Sequence, residues 1–227
     1  MKKLLVLMLF VVSGAVQAGV VIYGTRVIYP ADKKEVVVQI MNQGERTSLV
    51  QAWIDDGDTA QSPEHIDVPF LLTPPVSRVA AKSGQQLKIK RMKGNLPADV
   101  ESLFFLNVLD IPPNDEQSAG KNVIKFATQN RIKLFWRPAG IAPVNKSSFR
   151  QLQLSRTTQG IIIKNNNANW ITITEVSGNN QKINKENLML APRAQQAIPT
   201  TIKNVSVLTL TMIDDYGNYL TEKITIN

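Results

Sequence analysis

The chain has 227 residues, room for two domains of about 100 each, and 43% of them are hydrophobic, which suits packed cores and argues against disorder. It has no cysteine and a single histidine, His65, which excludes a cysteine nucleophile and cysteine-held metals and leaves no spare histidine for a Ser-His-Asp triad. The balance of 26 Lys and Arg against 18 Asp and Glu is basic, but the charges are dispersed and aromatics are few, unlike a nucleic-acid surface with its basic stripe and stacking rings.

The first stretch, MKKLLVLMLFVVSGAVQAG, reads as a signal peptide. Lys2 and Lys3 form a positive start, Leu4 to Val12 an apolar run, and Val16-Gln17-Ala18 a site for signal peptidase, leaving Gly19 as the first mature residue. A membrane anchor is the other reading of such a segment, but the apolar run is short of the ~20 residues needed to span a bilayer. An exported chain without cysteine must be held by its cores, since disulfides are not available.

Strand signals follow in short bursts: VVIYGTRVIY (20–29), EVVVQIMN (35–42), SLVQAWID (48–55), QQLKIKRM (85–92), SLFFLNVLDI (102–111) and NVIKFATQNRIKLFWR (122–137). Each is rich in β-branched and aromatic residues and is bounded by Gly, Pro, Asn or Asp. IDDGD (54–58) has the acid density of a calcium loop but lacks its twelve-residue spacing and closing Glu, and is expected to form an Asp-Gly hairpin turn. His65 stands in SPEHIDVPF, a loop-like stretch, and is expected to be exposed. Beyond Pro138-Ala139-Gly140 and Pro143 the pattern resumes as LQLS, GIIIKN, WITITEVS, ENLMLAP, VSVLTLTMIDD and EKITIN. Evenly spaced short strands without sustained helical periodicity predict an all-β chain of two β-sandwiches linked through 138–143.

The stretch QNRIKLFWRP (129–138) raises a question about charge. Successive strand side chains point to opposite faces, so Ile132, Leu134 and Trp136 share one face and Arg131, Lys133 and Arg137 the other. Three cations in line with no acid among them call for a partner. Upstream, Ile124, Phe126 and Thr128 also share a parity, which suits either this chain's own core or an external apolar groove.

RIKLFWRP, ESLFFLNVLDIPP, LTPPVSR (72–78), LMLAPR (188–193) and IDDYGN (213–218), in this order, resemble the periplasmic chaperones of chaperone–usher pili, the PapD and FimC type, over essentially the whole mature chain. The resemblance implies two immunoglobulin-like β-sandwich domains in a boomerang with a cleft between them: 19–141 as the N-terminal domain and 142–227 as the C-terminal one, after a signal peptide of 1–18 cleaved after Ala18. It implies a periplasmic, non-enzymatic protein with no cofactor, metal, nucleic acid or small-molecule substrate. Its partners would be pilus subunits and an outer-membrane usher. By position in the motifs, Arg26 and Lys133 would anchor a subunit's C-terminal carboxylate. Ile124, Phe126 and Thr128 would form the donor strand for the subunit's groove, although Thr128 stands where a large aliphatic residue is usual. Glu101, Arg137 and Asp215 would form an ionic network between the domains. Arg131 carries no family role and is expected to be a solvated charge. The brief PPNDEQSAGKN loop (112–122) resembles the short-loop subclass, and Thr73-Pro74 would be cis. The alternatives are a secreted adhesion or carbohydrate-binding module, which should expose an aromatic platform, and a secreted hydrolase, which should gather acids into a convergent cluster.

Overall fold

The computed structural model describes residues 19–113, 124–179, 181–200, 202 and 205–226. The expected signal segment, 1–18, and the loop residues 114–122 lie outside them. Among the described residues the first half builds nine strands: β1 (Val20–Ile22), β2 (Arg26–Pro30), β3 (Glu35–Asn42), β4 (Ser48–Asp55), β5 (Phe70–Thr73), β6 (Val76–Val79), β7 (Gly84–Arg91), β8 (Ser102–Ile111) and β9 (Thr128–Arg137). They form two sheets, in the orders β1-β3-β7-β5 and β2-β9-β8-β4-β6. Alternate residues of both sheets meet in one core, including Val27, Tyr29, Val38, Ile40, Leu87, Ile89, Phe104, Leu106, Leu134 and Trp136. Trp136 packs against Tyr29 with ring centroids 5.1 Å apart, and Arg91 lies 4.5 Å over its indole.

The second half contributes β10 (Leu152–Thr157), β11 (Gly160–Asn165), β12 (Ile171–Gly178), β13 (Gln181–Lys182), β14 (Leu188–Leu190), β15 (Gln195–Pro199), β16 (Val207–Ile213) and β17 (Tyr219–Thr225). One sheet runs β10-β11-β15, the other β13-β12-β16-β17 with β14 also on β12. They enclose a separate core built around Leu154, Ile161, Ile163, Ile171, Ile173, Leu208, Leu210 and Met212. A 3-10 turn, Lys146–Gln151, opens this half and is capped by Asn145, whose side chain accepts from the Ser147 amide at 2.8 Å. The protein is therefore all-β, with two immunoglobulin-like sandwiches, and Thr73-Pro74 is cis.

Three expectations need correction. VVIYGTRVIY is not one strand. It breaks at Gly24, whose φ of 115° suits a residue without Cβ, so that β1 pairs with β3 in one sheet and β2 pairs in parallel with β9 in the other. IDDGD makes no hairpin: β4 ends at Asp55, whose Oδ1 accepts from the Gly57 amide at 2.8 Å, and the next strand, β5, belongs to the opposite sheet. The run 122–137 enters its strand only at Thr128, and 124–127 join no sheet among the described residues. His65 is exposed, in a single 3-10 turn (Pro63–His65).

Candidate functional site

Of the three cations on β9, Lys133 and Arg137 reach the second sandwich and Arg131 stays on the first, so each meets a different environment. Arg131 is not a solvated charge. It forms an ion pair with the buried Asp55 and lies over the Phe105 ring at 4.1 Å. The other carboxylate oxygen of Asp55 takes a bond from Asn107 Nδ2 at 2.5 Å. Sequence reasoning missed this pair because Asp55 reaches Arg131 across strand β8, which separates β4 from β9 in the sheet.

Arg137, at the far end of β9, is buried and binds two carboxylates. Its Nε donates to Glu101 Oε1 at 2.5 Å, and its Nη1 and Nη2 donate to the two oxygens of Asp215 at 2.5 and 2.7 Å. The second pair is bidentate, the geometry for which a guanidinium is suited. Glu101 also accepts from Asn169 Nδ2 at 3.0 Å and from the Trp170 amide at 2.8 Å. Burial pushes the Glu101 carboxyl up from its ordinary range, with Arg137 pulling against that shift. Glu101 thus joins the start of β8 to the segment before β12, and Arg137 joins β9 to the turn after β16. Asn169 and Trp170 had no signal in the sequence, since their side chain and backbone contribute through position alone.

Lys133 has no such acid. In the parallel register of β2 and β9 it stands directly beside Arg26, and neither forms an ion pair among the described residues. Lys133 Nζ donates to Thr172 Oγ1 at 3.4 Å and Arg26 Nη1 to the Ile213 carbonyl at 3.4 Å, both long contacts onto the second sandwich. Arg26 Nε is buried with no hydrogen-bond partner among the described residues. Burial lowers the Lys133 pKa, and the Arg26 charge lowers it further. Burial also lowers that of Arg26, against the pull of Asp215, Asp214 and Glu101. Two half-buried like charges side by side repel, so the arrangement is unfavourable unless an anion joins it.

Just before β9, Ile124 and Phe126 are 83% and 80% exposed. The core alternative for these residues is therefore excluded. Thr128, on the same parity, is also exposed and stands opposite Asp110 at the end of the β8–β9 ladder.

Residues 19–142 match the family model for the pili and flagellar-assembly chaperone PapD N-terminal domain, and 147–224 that for the pili assembly chaperone PapD C-terminal domain. The chain belongs to the PapD family of pilus-assembly chaperones. It is 58% identical over 224 residues to the probable fimbrial chaperone YehC of Escherichia coli (strain K12), covering 99% of this chain and 94% of that one. It is 36% identical to the chaperone protein MrkB of Klebsiella pneumoniae over the full length of both. Among solved structures, the CupB2 chaperone of Pseudomonas aeruginosa superposes with a TM-score of 0.79 at 30% identity, covering 91% of this chain and all of that one. The PapD family comprises assembly chaperones rather than enzymes.

Proposed function

We propose that this chaperone holds pilus subunits in the periplasm by donor-strand complementation and passes them to an outer-membrane usher. Arg26 and Lys133 clamp the carboxylate at the end of the subunit's chain. Ile124 and Phe126, with Thr128, enter the groove of a subunit that lacks its own last strand. Glu101, Arg137 and Asp215 fix one sandwich against the other, so that the clamp and the donor strand keep a common frame. The units are 19–141 and 142–227, the leader is removed after Ala18, and the loop before the donor segment belongs to the short class. No catalytic chemistry is involved.

The observation that carries this reading is the pair Arg26 and Lys133. The other two cations of β9 each have a carboxylate, these neighbours have none among the described residues, and a chain terminus is an anion of matching size. Charge-assisted bonds of this kind are worth ~1.5–3 kcal/mol each. The exposed side chains of Ile124 and Phe126 support it, because two large apolar groups of one parity, on a segment that joins no sheet among the described residues, are a ready template for strand addition.

The test is a four-way comparison of affinity for a peptide carrying the last residues of a pilus subunit: wild type and Lys133→Ala, each with a free and an amidated terminus. Either change alone weakens capture strongly; together they cost much less than the sum, since neither then has a partner to lose. Strictly additive losses would mean that Lys133 and the carboxylate never meet.

A further inference from the structure

We propose that removal of residues 1–18 completes the N-terminal sandwich, because the α-ammonium it creates on Gly19 pairs with the carboxylate of Asp110. This rests on the reading that processing falls between Ala18 and Gly19.

Asp110 is a buried carboxylate that neither the clamp nor the ionic network uses; it is 7% exposed. One oxygen, Oδ2, accepts from the Val20 amide at 2.9 Å, while Oδ1 is buried with no hydrogen-bond partner among the described residues. A half-satisfied buried carboxylate is costly, and a cation is its strongest remedy. Gly19 lies against this group. A Cβ built on it would collide with Asp110 Oδ2. The N and Cβ of one residue are about 2.5 Å apart, so the Gly19 nitrogen lies within about 5 Å of that oxygen. Turning about the Gly19 Cα–C bond carries the free amine along the arc on which that Cβ lies, toward the Asp110 carboxylate.

The same contact explains why position 19 is glycine. Signal peptidase reads small residues at the positions before the cut, here Val16 and Ala18, and sets no need for glycine after it. The need comes from the fold, since any side chain would meet the short, buried arm of Asp110. The backbone here is fixed from both sides: the Gly19 carbonyl accepts from the Gln43 amide at 3.2 Å, and the Val20 carbonyl accepts from Asn130 Nδ2 at 3.1 Å. The ammonium is thus delivered to a defined place. That place matters, because Asp110 stands opposite Thr128, the first residue of β9 and the root of the exposed Ile124–Phe126 segment. The ion pair ties the sheet holding β1 to the sheet holding β8 and β9 at the base of the donor segment. The unprocessed chain, with an amide in place of the ammonium, lacks it.

The experiment takes the secreted protein, reads its N-terminus by intact mass, and measures Tm for four forms: wild type, one extra glycine placed ahead of Gly19, Asp110→Asn, and both changes together. The single changes each lower Tm by about 5 °C, and the combination loses no more than the larger single loss. An α-amine-selective reagent labels wild type slowly and Asp110→Asn several-fold faster. Should Asp110→Asn not fold, Gly19→Ala displaces the ammonium instead, and its labelling must likewise speed up. Additive Tm losses, or labelling rates equal to wild type, overturn the ion pair. A mass that starts elsewhere than Gly19 overturns the processing step alone, and the same four-way cycle on protein made to begin at Gly19 then still judges the pair.

Discussion

Replacing Arg137 by methionine keeps much of its stem and deletes its charge. The change strands two carboxylates: the Glu101 side chain is 1% exposed and that of Asp215 11%. Removing one partner of a buried pair costs ~3–5 kcal/mol, because the remaining charge loses its compensation. At about 2–4 °C per kcal/mol for a chain of this size, Tm should fall by about 10 °C. A second change, Glu101→Gln, should then recover at least ~1 kcal/mol, since a neutral amide no longer needs the cation. The pH dependence has a definite sign. Glu101 has a raised pKa in the folded state, so the folded protein holds that proton more tightly than the unfolded one. Its contribution therefore turns unfavourable as pH rises from the ordinary value of 4.5 through the folded value. Without Arg137 that folded value rises further, so the deficit against wild type should narrow on acidification from pH 7 toward 5. Calorimetry across that range on wild type, Arg137→Met, Glu101→Gln and the double variant measures it. A deficit near ~1 kcal/mol, constant with pH and untouched by Glu101→Gln, would refute the reasoning and make the network a surface ornament.

Three further outcomes are expected. Phe126→Asp should leave Tm within about 2 °C of wild type, because the side chain is 80% exposed, yet abolish subunit protection in a refolding assay; a misfolded variant would return Phe126 to the core. Gly217→Ala should cost about 1–3 kcal/mol by urea denaturation, since φ there is 89° and the new Cβ would sit 2.5 Å from Thr25 Oγ1; an unchanged midpoint would show that the turn and Thr25 separate freely. Affinity for a peptide ending in the free carboxylate of a pilus subunit should decline as pH rises through the depressed Lys133 value, below the ordinary 10.5, and in Lys133→Arg that decline should vanish. A decline shared by both proteins would assign the titration to another group.

Much of this was legible in the chain. Val38, Ile40, Leu87, Ile89, Leu134 and Trp136 reach the core as alternation predicts, because a sheet with one buried face obeys a period of two. The run SLFFLNVLDI is β8 residue for residue. What could not be read was anything decided between strands. β5, β6 and β15 leave no clear mark in the sequence, because four- or five-residue edge strands carry too few alternations to stand out. The partner of Arg131 was hidden because Asp55 is 76 residues away and becomes its neighbour only through the β4–β8–β9 order. The family motifs name Arg26 and Lys133 together; the parallel register alone puts them side by side. Ile124 and Phe126 have two readings by parity, and only exposure separates them.

The parallel pairing of β2 with β9 also sets how the first sandwich would bear tension. β2 is entered at Arg26 from the N-terminal side, and β9 leaves at Arg137 toward the second sandwich. Pulling those two ends apart slides the strands past each other along their length, and the slanted, evenly spaced bonds from Arg26 to Pro30 are loaded together rather than one after another. A load passed between the N-terminus and the second sandwich therefore meets this sandwich in shear. A load on the antiparallel β16–β17 hairpin, applied at its open end, would instead peel its rungs singly. A tug on the second sandwich should thus fray that hairpin well before β2 and β9 slip out of register.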